Sequence, residues 1–136
     1  MPDQSIRSHI NALLQQNELT RFTREVDPDT NLSAVSWQNF ARRGKACLFE
    51  NIKGHPGWRV VSLMVADRRK WAAALGVPED EVVTTLNERI GRSLDPIMVK
   101  SSDAPVKGVI KLGREVDLRT LPAMWTSEAE IGRAHV

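Results

Sequence analysis

ACLFENIKGHPGWRVVSLMVADRRKWAAALG, residues 46–76, holds two short apolar runs and a helical segment separated by punctuation. Ala46, Cys47, Leu48 and Phe49 form the first run, and residues 60–65 form the second. Between them lie Gly54, Pro56 and Gly57. Short β-rich runs bounded by glycine and proline predict strands, and the tight link predicts that the two are antiparallel. Asp67 is placed to cap a helix of good formers that Gly76 closes. The stretch therefore reads as strand, turn, strand, helix.

Upstream, Ile6, Ile10, Leu13 and Leu14 recur at helical spacing after Asp3, a candidate cap, and Asn17 ends that helix. Residues 19–26 alternate, with Phe22 and Val26 on one side and Arg21, Thr23 and Glu25 on the other, as in a half-buried strand. A turn at Asp27-Pro28-Asp29-Thr30 leads to a second helix with apolar positions Leu32, Val35, Trp37, Phe40 and Ala41. Gly44 is placed to end it in the left-handed conformation. Downstream, Val77-Pro78-Glu79-Asp80-Glu81 is a helix start, with proline at the first helical position and acids at the positive end of the dipole. Val82, Val83, Leu86 and Ile90 supply its buried face, and Gly91 its stop. Residues 92–105 are polar and proline-containing, which reads as a loop, and residues 106–112 can form a further strand.

These elements predict an α/β sandwich: a small mixed sheet of strands 19–26, 46–50 and 58–65, covered by helices. A crossover through the second helix makes the first two strands parallel neighbours. A chain of 136 residues, 41% hydrophobic, is long enough for one core, or one domain and a tail. Nineteen Lys and Arg against seventeen Asp and Glu, interleaved along the chain, leave a net charge of +2. That balance is a weak footprint for nucleic acid. No membrane-spanning run and no secretory or transit signal is visible, so the expected compartment is the cytoplasm. One cysteine, Cys47, excludes an internal disulfide; inside an apolar strand it reads as a small core residue.

The inventory of reactive groups is thin. The chain holds no glycine-rich phosphate loop, nucleophile elbow, paired Cys or His ligands, or HExxH pattern. Glu79, Asp80 and Glu81 read as a solvated first turn, with an acid–base cluster or hard-cation site as the alternative. Arg42, Arg43 and Lys45, and likewise Arg68, Arg69 and Lys70, read as solvated helix ends, with an anion grip as the alternative. His55 falls in a surface turn, and Trp37, Trp58 and Trp71 are expected to pack. No catalytic, cofactor-binding or metal-binding residue is assigned.

Residues 6–76 nevertheless resemble the amino-terminal region of the UbiD-type decarboxylases, the prenylated-flavin-dependent aromatic acid decarboxylase family. The resemblance is carried by a first helix followed by Glu18-Leu19, the Val26-Asp27-Pro28 turn, the run Leu48-Phe49-Glu50-Asn51-Ile52-Lys53-Gly54 and the helix end from Arg69 to Gly76. Val116-Asp117-Leu118 and Leu121-Pro122 are similar to the segment with which that family enters its cofactor domain. One departure is Asn31, where the family often has an acidic residue. The resemblance implies a carboxy-lyase that uses prenylated FMN, Mn2+ and K+ to decarboxylate aromatic or α,β-unsaturated acids reversibly. In it the flavin ring serves as electron sink and a glutamate returns a proton. The family's catalytic arginine and two glutamates all follow the Leu-Pro segment, so none maps onto this chain, and neither Glu50 nor Arg69 is assigned such a role.

The same resemblance implies an amino-terminal α/β domain at 1–91, a connecting loop at 92–105 and the start of a truncated cofactor domain at 106–130. Its full-length form is expected to be a homo-oligomer, and the fragment inactive. Ile131-Gly132-Arg133-Ala134-His135-Val136 can be encoded by ATC GGA AGA GCA CAC GTC, which resembles a common sequencing adapter. Residues 131–136 are therefore expected to be an adapter artefact; a genuine short carboxy terminus is the alternative. The competing functional class is a stand-alone α/β binding module that uses the basic helix ends on nucleic acid, with affinity that falls with salt.

Overall fold

The computed structural model describes residues 5–92 and 94–124. Helix α1 (Ile6–Gln15) is capped by Ser5, whose side chain accepts from the Ser8 N–H at 3.1 Å; the expected cap, Asp3, lies outside the described residues. Asn17 takes φ 57° and turns the chain into strand β1 (Leu19–Phe22). This strand is shorter than the alternation over 19–26 predicts. The chain bends at Arg24, and Val26 rejoins only through a single parallel bridge to Ile52.

Helix α2 (Asn31–Ala41) starts from the expected turn, but Thr30 makes no side-chain cap. Instead the Asn31 side-chain oxygen accepts from the Asp27 N–H. At the other end it is Arg43, at φ 51°, and not Gly44 that enters the left-handed region. Gly44 is needed for space: a Cβ there would run into the Asn39 side chain. Asn39 is held in place because its amide donates to the Lys45 carbonyl and to Cys47 Sγ.

Strand β2 (Ala46–Phe49) is buried throughout and occupies the centre of a three-stranded sheet in the order β1-β2-β3. It runs parallel to β1, with Leu19 opposite Ala46 and Phe22 opposite Phe49. It runs antiparallel to β3 (Val60–Ser62), with Cys47 opposite Ser62 and Phe49 opposite Val60. Both orientations match the sequence reading. β3 is much shorter than 58–65 because Leu63 adopts φ 61° and swings the chain out of the sheet. Trp58 remains in the preceding turn.

The period of two along β2 divides the core. Ala46 and Leu48 pack with Leu13, Leu19 and Ala73 beneath α1 and α3 (Arg68–Leu75). Cys47 and Phe49 face the other way, onto Val26, Leu32 and Ile52 beneath α2, and the Phe49 ring stacks on Phe22 at 5.0 Å. Asp67 caps α3 by accepting from the Lys70 N–H at 3.3 Å, and Gly76 closes it at φ 69°, as expected.

Helix α4 (Val82–Ile90) is preceded by a 3-10 turn, Glu79–Glu81, which displaces Pro78 to the position before that turn. Of its expected apolar face only Val82 is buried; Val83 and Ile90 are exposed. Gly91 ends it at φ −73°, without a left-handed cap. From residue 94 to 124 the described chain holds short 3-10 turns and no strand. The run 106–112 has the composition of a strand, but no sheet edge lies beside it to complete its hydrogen bonds, and a lone strand is not stable. No helix among the described residues is long and apolar enough to cross a membrane.

Candidate functional site

Three linked ion pairs gather where the start of α3 meets the start of β1 and the turn after α2. Lys70, only 1% exposed, sends its ammonium to Asp67 Oδ2 at 2.7 Å and to the Gly44 carbonyl at 2.9 Å. Arg69 spans the same junction, donating to Asp67 Oδ2 at 3.0 Å, to Glu18 Oε1 at 3.2 Å and to the Arg43 carbonyl at 2.8 Å. The two carbonyls belong to Arg43 and Gly44, in the turn that follows the C-cap of α2. One capping residue, two cations and one acid from the start of β1 thereby tie three elements together. Burial pushes the Asp67 carboxyl up, but hydrogen bonds from Lys70 and Arg69 outweigh it and hold the group below its ordinary value.

This arrangement corrects the reading of residues 68–70 as a solvated helix end. Lys70 is interior, Arg69 is committed to internal acceptors, and only Arg68 is exposed. A cleft of about 770 Å³ opens beside the junction, but Asp67 and Glu79 line it together with Arg43 and Arg68. Mixed charge of that kind does not make a phosphate cradle. Lys45 donates to Asn17 Oδ1 at 2.7 Å, and Arg42 is exposed. Glu79, Asp80 and Glu81 all face solvent, and among the described residues no group of three or more His, Cys, Asp or Glu could hold a metal ion.

Cys47 is a buried core thiol, with its acidity reduced by burial. Glu50 forms a bidentate pair with Arg21 across the two parallel strands, at 2.9 and 3.0 Å, and its carboxyl is held below the ordinary value by that hydrogen bonding. His55 places Nδ1 3.1 Å from the Thr120 carbonyl, joining the turn to the far end of the described chain. His9 Nε2 donates to the Met64 carbonyl at 3.0 Å, which leaves its buried Nδ1 without a partner among the described residues.

On the α2 side the structure departs most from expectation. Trp37, expected to pack, is 60% exposed, and Trp58 and Trp71 are also open to solvent. Trp37 and Phe40 meet edge to face at 5.9 Å and form one wall of a groove of about 430 Å³. Val61, Ser62 and Leu63 line it from the β3 side, and Met124 also lines it. Leu63 is a bulky residue in the left-handed region, a conformation that costs about 1–2 kcal/mol. Sequence patterning finds the apolar face of α2 but not which part of it stays uncovered, and nothing in the composition of residues 58–65 marks Leu63 as the strained position.

A three-stranded mixed sheet set between helices defines a small α/β domain. The chain belongs to the 3-octaprenyl-4-hydroxybenzoate carboxy-lyase N-terminal domain family, whose pattern it matches over residues 10–90. It is 30% identical over 113 residues to gallate decarboxylase of Lactiplantibacillus plantarum, covering 76% of this chain and 23% of that protein. It is also 30% identical over 140 residues to pyrrole-2-carboxylic acid decarboxylase of Pseudomonas aeruginosa, covering 93% of this chain and 28% of the other. Among solved structures, the evolved dimeric form of the UbiD-class enzyme HmfF from Pelotomaculum thermopropionicum, in complex with prFMN, superposes with a TM-score of 0.78 at 28% identity. That match covers 92% of this chain and 29% of HmfF. The chain thus spans about a quarter of the length of the relatives it matches, and the UbiD resemblance read from its residues holds.

Proposed function

We propose that this chain is the amino-terminal structural domain of a full-length UbiD-class carboxy-lyase that reversibly decarboxylates aromatic or α,β-unsaturated acids with prenylated FMN, Mn2+ and K+. The observation that carries the reading is the match of 92% of this chain to only 29% of an enzyme solved with prFMN. The working parts then lie in the three quarters that this chain does not span. The described residues do not fit the flavin or the metal. The buried cation Lys70 is turned onto Asp67 and a backbone carbonyl, Arg69 is committed likewise, and among the described residues no group of three or more His, Cys, Asp or Glu is placed to hold a metal ion. No chemical step is derived through these residues; the domain supplies shape beside the cofactor domain, while the cofactor supplies the electron sink.

In the same reading, residues 1–91 are the domain proper, 92–105 the connection, 106–130 the start of the cofactor domain and 131–136 adapter-derived sequence. The full-length enzyme is a cytoplasmic homo-oligomer acting on a small carboxylic acid, without a nucleic-acid partner. Recovery of the genomic reading frame tests this directly. A frame that continues for several hundred residues, and whose product loaded with prenylated FMN releases CO2 from an aromatic acid, is the expected result. A genomic stop after Val136, or a full-length product inert toward a broad panel of such acids, overturns it.

A further inference from the structure

We infer that the groove between α2 and the outer edge of β3 is the docking surface for the rest of the longer polypeptide, which enters it as an extended apolar segment alongside β3. The inference rests on the reading of this chain as one portion of a longer enzyme. It is argued, however, from the shape and chemistry of this groove.

The two edges of the sheet are unlike. β1 carries Arg21, ion-paired to Glu50 and half in solvent, a charge of the kind that blunts an edge against further pairing. β3 carries Val60, Val61 and Ser62, with no charge, and among the described residues no backbone hydrogen bond joins its outer side to another element. An edge so unprotected is a ready template for another strand.

The groove beside that edge is walled by Trp37 and Phe40, large rings held edge to face and open to solvent. Tryptophan at the centre of an apolar patch is the residue type that most often anchors an interface. Leu63 ends β3 at a left-handed φ of 61° and lies in the groove wall, so the edge is cut to a short length by a strained residue that faces the groove. Backbone strain of this kind persists where the surroundings over-determine it.

The occupant is identified by length and by Met124. Relatives and solved neighbours are roughly three to four times as long as this chain, so on that reading more polypeptide lies outside it than within it. Met124, more than sixty positions from Leu63 in sequence, packs against the same core cluster as Leu63 and lines the same groove, and so brings the polypeptide to it.

Hydrogen exchange on the 136-residue chain and on the full-length protein tests the inference. The amides of Val60–Leu63 are expected to exchange at least ~10-fold more slowly in the full-length protein, with a smaller gain at the β1 edge, as fits local protection by a docked segment. Trp37→Ala in the full-length protein should reverse that gain while leaving exchange in α1 unchanged. Equal rates at 60–63 in an active full-length enzyme, or protection confined to other surfaces, overturn the docking surface and leave the decarboxylase reading standing. Protection that rises with concentration in the 136-residue chain alone assigns the groove to a second copy and also overturns it. A reading frame that ends at Val136 removes both.

Discussion

Residues 5–92 and residues 94–124 have similar appetites for burial and opposite outcomes. The first region places Leu13, Leu32, Cys47 and Phe49 almost wholly out of water. The second carries Leu94, Ile97, Met98, Val99, Val106, Val109, Ile110 and Leu112, all exposed, with Met98 92% open, and no residue in it is fully buried. The difference is not hydrophobicity but partnership. In the first region the central apolar run meets complementary elements within forty or so residues of sequence: β2 finds β1, β3 and helices on both faces. In the second, Met124 packs against the core and the Thr120 carbonyl accepts from His55 in a turn of the first region. Exposed apolar side chains gathered in one part of a protein mark contact surfaces, and in the proposed longer enzyme the second region would be half of such a contact.

Breaking the Asp67 junction should have the largest effect, because it closes the first region on one side. Asp67→Asn keeps a good helix cap and removes the charge, leaving the buried Lys70 ammonium without its counter-ion. A loss of about 3 kcal/mol in denaturant unfolding is expected, in line with removal of one member of a buried pair. Asp67→Ala should cost about 1 kcal/mol more through loss of the cap. Lys70→Met, which removes the buried charge and leaves Asp67 with Arg69, should stay within about 1 kcal/mol of the parent.

Gly44→Ala ranks next. The new methyl group would meet the Asn39 side chain, which cannot swing aside without giving up its bonds to the Lys45 carbonyl and Cys47. Overpacking of this kind costs about 2 kcal/mol, measured as a shift in the urea midpoint with unchanged slope. A near-neutral result would show that Asn39 is free to move and that glycine there is incidental.

Acid should weaken the first region by a smaller step. The Asp67 carboxyl is held below its ordinary value in the folded chain, so its ionised form is the one the fold favours. Its contribution is complete above the unfolded value, about 3.9, and fades as pH falls through the lower folded value. The parent should lose stability over that range with a steeper slope than Asp67→Asn, in which the group cannot titrate. Parallel slopes in the two proteins would exclude Asp67 as the source.

Much of the first region was legible in the residues because its determinants are local. The period of two in β2, the Asp67 cap and the Gly76 stop each announce themselves within a few positions. What escaped depends on distance or on space. Arg43 takes the left-handed conformation next to a Gly44 that lies against Asn39, a contact no spacing rule contains. The burial of Lys70 depends on the Gly44 carbonyl, 26 positions away, and Arg69 on Glu18, 51 positions away. Composition predicts a strand at 106–112, but it does not reveal whether a neighbouring edge exists to accept it. The α2 face was read as apolar, while the exposure of Trp37 follows from which elements are present to cover it.

The smallest expected effect is also the sharpest test of the contrast between the regions. Met98 contacts almost nothing but solvent in this chain, so Met98→Ser should change its stability by no more than about 0.5 kcal/mol, the usual range for exposed positions. If the second region is half of a contact, the same substitution in the full-length enzyme creates a cavity against the missing partner and should cost about 2–3 kcal/mol, near the lower end of the range for truncating a buried methionine. The two proteins, measured by denaturant unfolding under identical conditions, separate an apolar residue that is merely tolerated at a surface from one whose partner lies elsewhere in the polypeptide. Equal and negligible effects in both would mean that the apolar character of residues 94–112 serves no packing role, and the symmetry argued here between burial in the first region and exposure in the second would fail.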